Sequence, residues 1–351
     1  MSYKEFRYID HLNRKLVAYK WLPDHRTPKG VVQLTHGMQE HARRYNYFAE
    51  TLARHGFAVY ATDLLGHGRN LVAKGRFGDL GPGGWQDALE SVRCLSLQIK
   101  QDFPELPFYL FGHSWGSFLS QRYIQKWGCE LAGVILSGTT GHVQFASLSV
   151  PVSKLICRLR GSDRRAGLLQ LIGMGHFNRE FRPAKTPADW LSRDEAQVQK
   201  FIKDPWCGQP FPNSFFYETS RLFTTIWRKE NEEMIPRQLP VCIASGSRDP
   251  VSMQTRYLSP LAKRYQELGI KDVTMRIYPG ARHEIINETN RDQVIQDLID
   301  WIEERLMARG ELIAPHQVEL SATPATQLAA EQKTVMKPVA VRRPGTPNSS
   351  S

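Results

Sequence analysis

Ser114, Asp249 and His283 are the residue types that together carry nucleophilic acyl transfer, and each stands just after an apolar run. Ser114 is the centre of Gly112-His113-Ser114-Trp115-Gly116, a G-x-S-x-G sequence. A serine hydroxyl attacks poorly alone; it needs a base to take its proton and a third group to hold that base. Asp249 lies in Gly246-Ser247-Arg248-Asp249-Pro250, where Pro250 restricts the backbone after the carboxylate. His283 lies in Pro279-Gly280-Ala281-Arg282-His283-Glu284. In this arrangement His283 is the general base, and Asp249 fixes its tautomer and stabilises the imidazolium. Attack on a carbonyl also builds charge on its oxygen. The backbone N–H groups of Met38, in the loop that begins His36-Gly37, and of Trp115 are the candidate oxyanion donors. Such donors contribute roughly 2.7–4 kcal/mol each. Backbone donors are indifferent to side-chain identity, so the Met38 and Trp115 side chains are expected to shape the acyl pocket. Each piece alone is ordinary; the conjunction of four, in this order and each after a strand-like run, carries the reading.

The elements that must position these residues follow from the apolar pattern. Residues 108–111 are apolar and aromatic, as a buried strand is, and residues 117–124 carry apolar side chains at helical spacing. A strand, a tight turn and a helix place Ser114 on a strained elbow. Gly112 and Gly116 are expected there because a Cβ would collide with the crowded turn. Residues 5–9, 15–21, 31–35, 57–62, 131–138, 240–246 and 273–278 read as further strands. Residues 45–55, stopped by Gly56, and 85–102 read as helices. Residues 292–307 read as a closing helix with Val294, Ile295, Leu298, Ile299, Ile302 and Leu306 on one face. Apolar strands alternating with helices predict an α/β protein, with a mostly parallel sheet covered by helices on both faces. The chain order Ser, Asp, His is that of the α/β-hydrolase fold. Asp63, also at a strand end, is a second candidate for the acid; a structural role is preferred, because its carboxylate can accept the N–H groups of the following loop. The strand–helix rhythm breaks at 139 and resumes near Pro240. Residues 1–138 and 238–309 therefore form the core, and 139–237 an inserted segment over the carboxyl ends of the strands.

The runs His36-Gly37-Met38-Gln39-Glu40-His41-x-x-Arg44-Tyr45, Asp63-Leu64-Leu65-Gly66-His67-Gly68, Gly112 to Gly116, Gly246-x-x-Asp249 and Gly280-x-x-His283-Glu284 resemble the monoacylglycerol lipase/lysophospholipase family of α/β-hydrolases. The resemblance spans residues from about 5 to 307, and the first two runs are more specific than the serine elbow. It implies ester hydrolysis of a small single-chain lipid, with the 139–237 insertion as a helical cap over the site. Two departures stand out. Asn70 replaces the serine usual after G-H-G-x, outside the chemistry. Met38 is larger than the residue common in the animal enzymes and is expected to narrow the pocket, which touches substrate choice and not reaction type. Two other chemistries on the same fold stay open. One is a proline-iminopeptidase-type aminopeptidase, which needs acids near the site to hold a substrate amine; the other is a general carboxylesterase or thioesterase.

Composition bounds the rest. The 351 residues are 41% hydrophobic, enough for a sizeable core, and no stretch approaches the length of a membrane span. The first residues lack the apolar segment of a signal peptide. Five scattered cysteines, without a C-x-x-C pair, point to free thiols and a cytoplasmic setting. The mechanism calls for no cofactor and no metal. The net charge of +11 favours anionic partners. No nucleic-acid module accompanies it, so no nucleic-acid partner is expected. Residues 154–185 hold eight basic residues against two acidic, a net of +6, beside Leu155, Ile156 and Leu159. That pattern reads as a solvated cap face, as a peripheral contact with an anionic membrane, or as recognition of an acidic headgroup. Residues 310–351 shift to Ala, Thr, Pro, Ser and Gln, with Lys333, Lys337, Arg342 and Arg343, and are expected to be a disordered basic tail.

Overall fold

Five strands whose residues are all buried account for the centre of the molecule: β3 (Gly30–Thr35), β4 (Phe57–Thr62), β5 (Phe108–His113), β6 (Gly133–Ser137) and β7 (Val241–Gly246). A strand covered on both faces has no reason to alternate, and none of these does. They come from a computed structural model that describes residues 1–24, 27–73, 75–143 and 146–310. The tail expected from 310 onward lies outside the described residues, Gly310 apart. β1 (Ser2–Ile9), β2 (Lys15–Leu22) and β8 (Val273–Tyr278) complete an eight-stranded sheet in the order β1-β2-β4-β3-β5-β6-β7-β8. β1, β2 and β4 pair antiparallel, and the remaining pairs are parallel.

Helices α1 (Asn46–Arg54), α2 (Trp85–Asp102), α3 (Trp115–Trp127), α9 (Leu258–Glu267) and α10 (Arg291–Ala308) cover the sheet, with α1 packed on α10 and α2 on α3. Between β6 and β7 the chain forms α4 (Ala146–Arg160), α5 (Gly167–Met174), α6 (Glu195–Lys203), α7 (Asn213–Ile226) and α8 (Lys229–Glu232). Core and insertion together make one compact unit, so the boundaries near 138 and 238 mark a change of element type. No helix of the described residues is long and apolar enough to cross a membrane.

The topology decides where chemistry can sit. From β3 the chain steps to one side to reach β4 and then to the other to reach β5. Loops leaving the carboxyl ends of β3 and β5 therefore diverge and leave a crevice between them. The Met38 loop follows β3, and Ser114 follows β5.

Candidate active site

Ser114 sits between β5 and α3 with φ 52° and ψ −121°, a conformation unfavourable for a side-chain-bearing residue. Strain of this kind costs of order 1–3 kcal/mol and persists only where the surroundings impose it. Here they do: a Cβ on Gly116 would lie 2.3 Å from the Thr35 carbonyl oxygen, and one on Gly112 would lie 2.2 Å from Ser120 Oγ. Only glycine lets the elbow pack this tightly against β3 and its own helix. The Ser114 N–H donates to the Ser137 carbonyl at 2.9 Å, anchoring the turn to β6.

Asp249 and His283 meet after β7 and β8. His283 Nδ1 lies 2.9 and 3.0 Å from the two Asp249 carboxylate oxygens. Asp249 is fully buried and also accepts from the Val251 N–H (2.9 Å) and the Ser245 hydroxyl (3.2 Å). Burial pushes the His283 pKa down, but the Asp249 charge and hydrogen bond more than offset it, so the imidazole is held above its ordinary range. The neighbouring His113 ring, centred 4.6 Å away, goes the other way: burial and the His283 charge push it down to about 3 and keep it neutral. The Trp190 ring lies 5.0 Å from that of His283.

Ser114 and His283 line one mostly apolar cavity of about 470 Å³, together with Met38 and Trp115. Phe118, Val152, Leu169, Ile172, Phe177 and Phe216 supply much of its wall. Among the described residues no hydrogen bond occupies the backbone N–H of Met38 or of Trp115. The Trp115 side chain is buried against Phe215 and donates from Nε1 to Thr219 Oγ1 at 3.1 Å, which ties the elbow to α7.

The loop after β3 is held by a buried network. Glu40 accepts from the Gly37 N–H (2.5 Å), the Tyr45 hydroxyl (2.8 Å) and Arg44 (2.7 Å). Arg44 also donates to both oxygens of Glu284, at 2.5 and 2.6 Å. The guanidinium thus joins the Met38 loop to the residue beside His283. Burial raises the Glu284 pKa, but Arg44 outweighs it and holds the carboxyl below its usual range. Glu40 and Glu284 are the carboxylates in the cavity wall, and both are engaged by Arg44.

Asp63 faces away from this chemistry. Its carboxylate accepts from the N–H groups of Ala42 and Arg69 (both 2.9 Å) and from the Tyr19 hydroxyl (3.1 Å). Asn70 binds the Asp63 carbonyl (2.6 Å) and both backbone groups of Val17 (2.7 and 3.1 Å), so this departure ties the loop to β2. The one group of metal-ligand types among the described residues is His41, Asp204 and Cys207, with donor atoms within 4.8 Å of one another. It fits a cation poorly. His41 Nε2 is already bonded to Asp204 at 2.9 Å, burial pushes the Cys207 thiol well up, and the Arg44 charge bears on both acidic groups. All five cysteines are free.

Sequence reasoning missed the partners from the insertion. His283 N–H donates to the Trp190 carbonyl (3.3 Å) and Glu284 N–H to that of Leu191 (2.7 Å). Glu288, fully buried, accepts from the Arg282 N–H (2.8 Å), the Arg193 N–H (3.1 Å) and Arg193 Nε (2.8 Å). Glu40, Arg44 and Glu284 all stand in the quoted runs, which was the available signal. Trp190, Arg193 and Asp204 stand in no run.

Comparison with known proteins converges. The sequence family described as serine aminopeptidase, S33 matches residues 26–290. A monoacylglycerol lipase of Mycolicibacterium smegmatis is 27% identical over 294 residues, 82% of this chain and 92% of its own. A monoglyceride lipase of Rattus norvegicus is 25% identical over 300 residues, 84% of this chain and 89% of its own. Among solved structures, a thermostable carboxyl esterase from Bacillus coagulans, crystallised with glycerol, superposes with a TM-score of 0.81 at 30% identity, covering 87% of this chain and 99% of the esterase.

Proposed function

The chain belongs to the serine aminopeptidase S33 family, among the monoacylglycerol lipase group of α/β-hydrolases, and is a serine ester hydrolase; on that premise we propose that it cleaves single-chain lipid esters, monoacylglycerol or lysophospholipid, through an acyl-enzyme on Ser114. Ser114 Oγ attacks the ester carbonyl carbon while His283 Nε2 takes its proton. The tetrahedral oxyanion lies against the N–H groups of Met38 and Trp115, each worth about 10²–10³ in kcat. Collapse breaks the bond to the glycerol oxygen, which leaves with the proton from His283. Water then attacks the acyl carbon, His283 takes its proton, and the second collapse releases the fatty acid and restores Ser114.

The observation that carries the substrate class is the cavity wall. It is aliphatic and aromatic over most of its area, as an acyl chain requires. Its carboxylates, Glu40 and Glu284, are both bonded to Arg44, so a substrate ammonium finds no unpaired acid among the described lining residues. This favours the lipid ester over the aminopeptidase reading. The glycerol held by the Bacillus coagulans esterase is the alcohol that monoacylglycerol hydrolysis releases.

The same proposal makes 139–237 a cap enclosing the acyl chain. Its α4 and α5 expose Leu148, Leu155, Leu159, Leu171 and Ile172 beside Lys154, Arg158 and Arg160, which suits peripheral contact with an anionic membrane that holds the substrate.

The test is parallel release of fatty acid from 1-monooleoylglycerol and 1-oleoyl-lysophosphatidylcholine, and of arylamine from Pro-p-nitroanilide, by wild type and Ser114→Ala. Turnover of either lipid, lowered by about 10⁴-fold or more in Ser114→Ala, is expected, and the ratio of the two gives the headgroup preference. Turnover of the anilide with both lipids untouched would overturn the proposal.

A further inference from the structure

We propose that the turn at 204–209 of the insertion is a positioning element for the oxyanion loop, with Asp204 as its organising side chain. The proposal rests on the reading of Met38 as an oxyanion donor. Gln39, the next residue, is held at φ 59°, in the left-handed region that residues with a Cβ seldom adopt. Such a backbone stays put only when its neighbours leave no alternative.

One side of that constraint comes from the core, where Glu40 accepts the Gly37 N–H. The other side comes entirely from the insertion. Gly208 N–H donates to the Gln39 carbonyl at 2.9 Å, and Gln39 Nε2 donates to the Gln209 carbonyl at 2.7 Å. Two residues on from Gln39, His41 Nε2 meets Asp204 Oδ2 at 2.9 Å, and its buried ring stands edge-on to Trp206.

Asp204 stands behind all of these contacts. Its other carboxylate oxygen accepts the Trp206 N–H at 2.9 Å, and its carbonyl accepts the Cys207 N–H at 3.0 Å. Those bonds form the turn that presents Gly208 and Gln209. Truncating the carboxylate therefore frees His41 and loosens the turn together. An error of about 1 Å in a preorganised group costs on the order of 10²-fold in rate. An oxyanion donor acts mainly in the transition state, so the loss falls on kcat and not on substrate binding.

The experiment compares wild type with Asp204→Ala, Asp204→Asn, His41→Ala, the Asp204→Ala/His41→Ala double variant and the exposed neighbour Lys203→Ala. A p-nitrophenyl butyrate assay measures ester cleavage without reliance on the lipid assignment. Asp204→Ala is expected to lower kcat by about 10–100-fold with KM within about 3-fold. Asp204→Asn keeps an acceptor for the turn and is expected to recover part of the loss. The double variant should lose little more than either single, because the pair acts as one unit. Lys203→Ala should match wild type. A trifluoromethyl ketone, which forms an oxyanion on the nucleophile, should weaken in step with kcat/KM; an unreactive ether analogue of monooleoylglycerol should bind as before. Wild-type kcat in Asp204→Ala, or equal weakening of both ligands alongside a lower melting temperature, would overturn positioning and leave a structural tie. Retained activity in Ser114→Ala would instead remove the reading on which the proposal rests.

Discussion

The insertion between β6 and β7 contains two regions of opposite character. Its first part, α4 and α5, keeps few residues buried, Ser153 and Leu169 among them, and leaves Leu159 74% and Leu171 65% exposed. Its later part, from about 186 to 227, buries Leu191, Val198, Phe211, Phe215, Leu222 and Ile226. That part is also bonded to each candidate catalytic element: to the His283 loop through Trp190 and Leu191, to the Met38 loop through 204–209, and to the Ser114 elbow through Thr219. The contrast separates two tasks within one stretch of chain. The later part is bonded to the loops that carry the site, whereas the first part lines the cavity with Val152, Leu169 and Ile172 and presents Leu155 and Leu159 outward.

A matched pair of truncations, one in each part, should give the largest difference. The Phe211 ring packs edge-on to Phe215 at 4.6 Å and to His67 at 4.9 Å. It also fills the space over Gly78, where a Cβ would lie 2.4 Å from the ring. Phe211→Ala is expected to cost about 3–5 kcal/mol in urea unfolding, since the lost contacts leave a cavity that a close-packed neighbourhood cannot collapse. Leu159→Ala is expected to stay within about 0.5 kcal/mol of wild type. Similar costs for the two would mean that the first part is packed in solution and the contrast is wrong.

The same contrast explains what could be read from the sequence. α2 and β8 match the expected 85–102 and 273–278, because a long amphipathic period and a clear alternation are local signals. β1 begins at Ser2 instead of 5, since its pairing with β2 is a backbone ladder that polar residues join as well as apolar ones. Ser114, Asp249 and His283 could be singled out because few residue types do their chemistry and each follows a strand. The ties from the insertion could not. His41 and Asp204 are 163 residues apart, and Arg193 and Glu288 are 95 apart. An aspartate beside a histidine, or an arginine beside a glutamate, is chemically generic. Only the closure of long loops over the sheet decides which generic groups meet.

Acid should destabilise the protein through buried histidines, one of which packs against the later part. Burial pushes His36, His67 and His113 down to about 3 each, so all three are neutral in the folded protein. Unfolded, each has an ordinary pKa near 6.5. Between about 3 and 6.5 the unfolded chain therefore binds more protons, and stability present above pH 6.5 is lost as pH falls. The expected slope is about 1.4 kcal/mol per histidine per pH unit. His283, held above its ordinary range, works in the opposite sense, but one group does not offset three. His67 lies directly under Phe211, Phe215 and Trp115. Urea midpoints at pH 7.5 and 5.5 should show the loss, and His67→Leu should flatten it by about one histidine's share. Stability unchanged between the two pH values would remove the premise that these rings stay neutral.

The smallest effect concerns the first part and separates docking from catalysis. If the exposed side chains of α4 meet a lipid surface, replacing them leaves the chemical step alone. Leu155→Ser with Leu159→Ser should hydrolyse p-nitrophenyl butyrate in free solution at the wild-type rate. The pair exposes about half or more of each side chain, so its replacement removes apolar area that a bilayer could bury. Each fully buried leucine contributes about 1.5–3 kcal/mol at most, and partial insertion takes a fraction of that. A drop of about 3–10-fold is therefore expected for monooleoylglycerol presented in vesicles containing phosphatidylserine. Added salt should enlarge it, because the charges on Lys154, Arg158 and Arg160 are then screened and no longer hold the protein at the surface. A fall in both assays would tie Leu155 and Leu159 to the chemical step and not to the membrane. That result would erase the division of labour from the other direction, since the exposed part would then matter to the site as the buried part does.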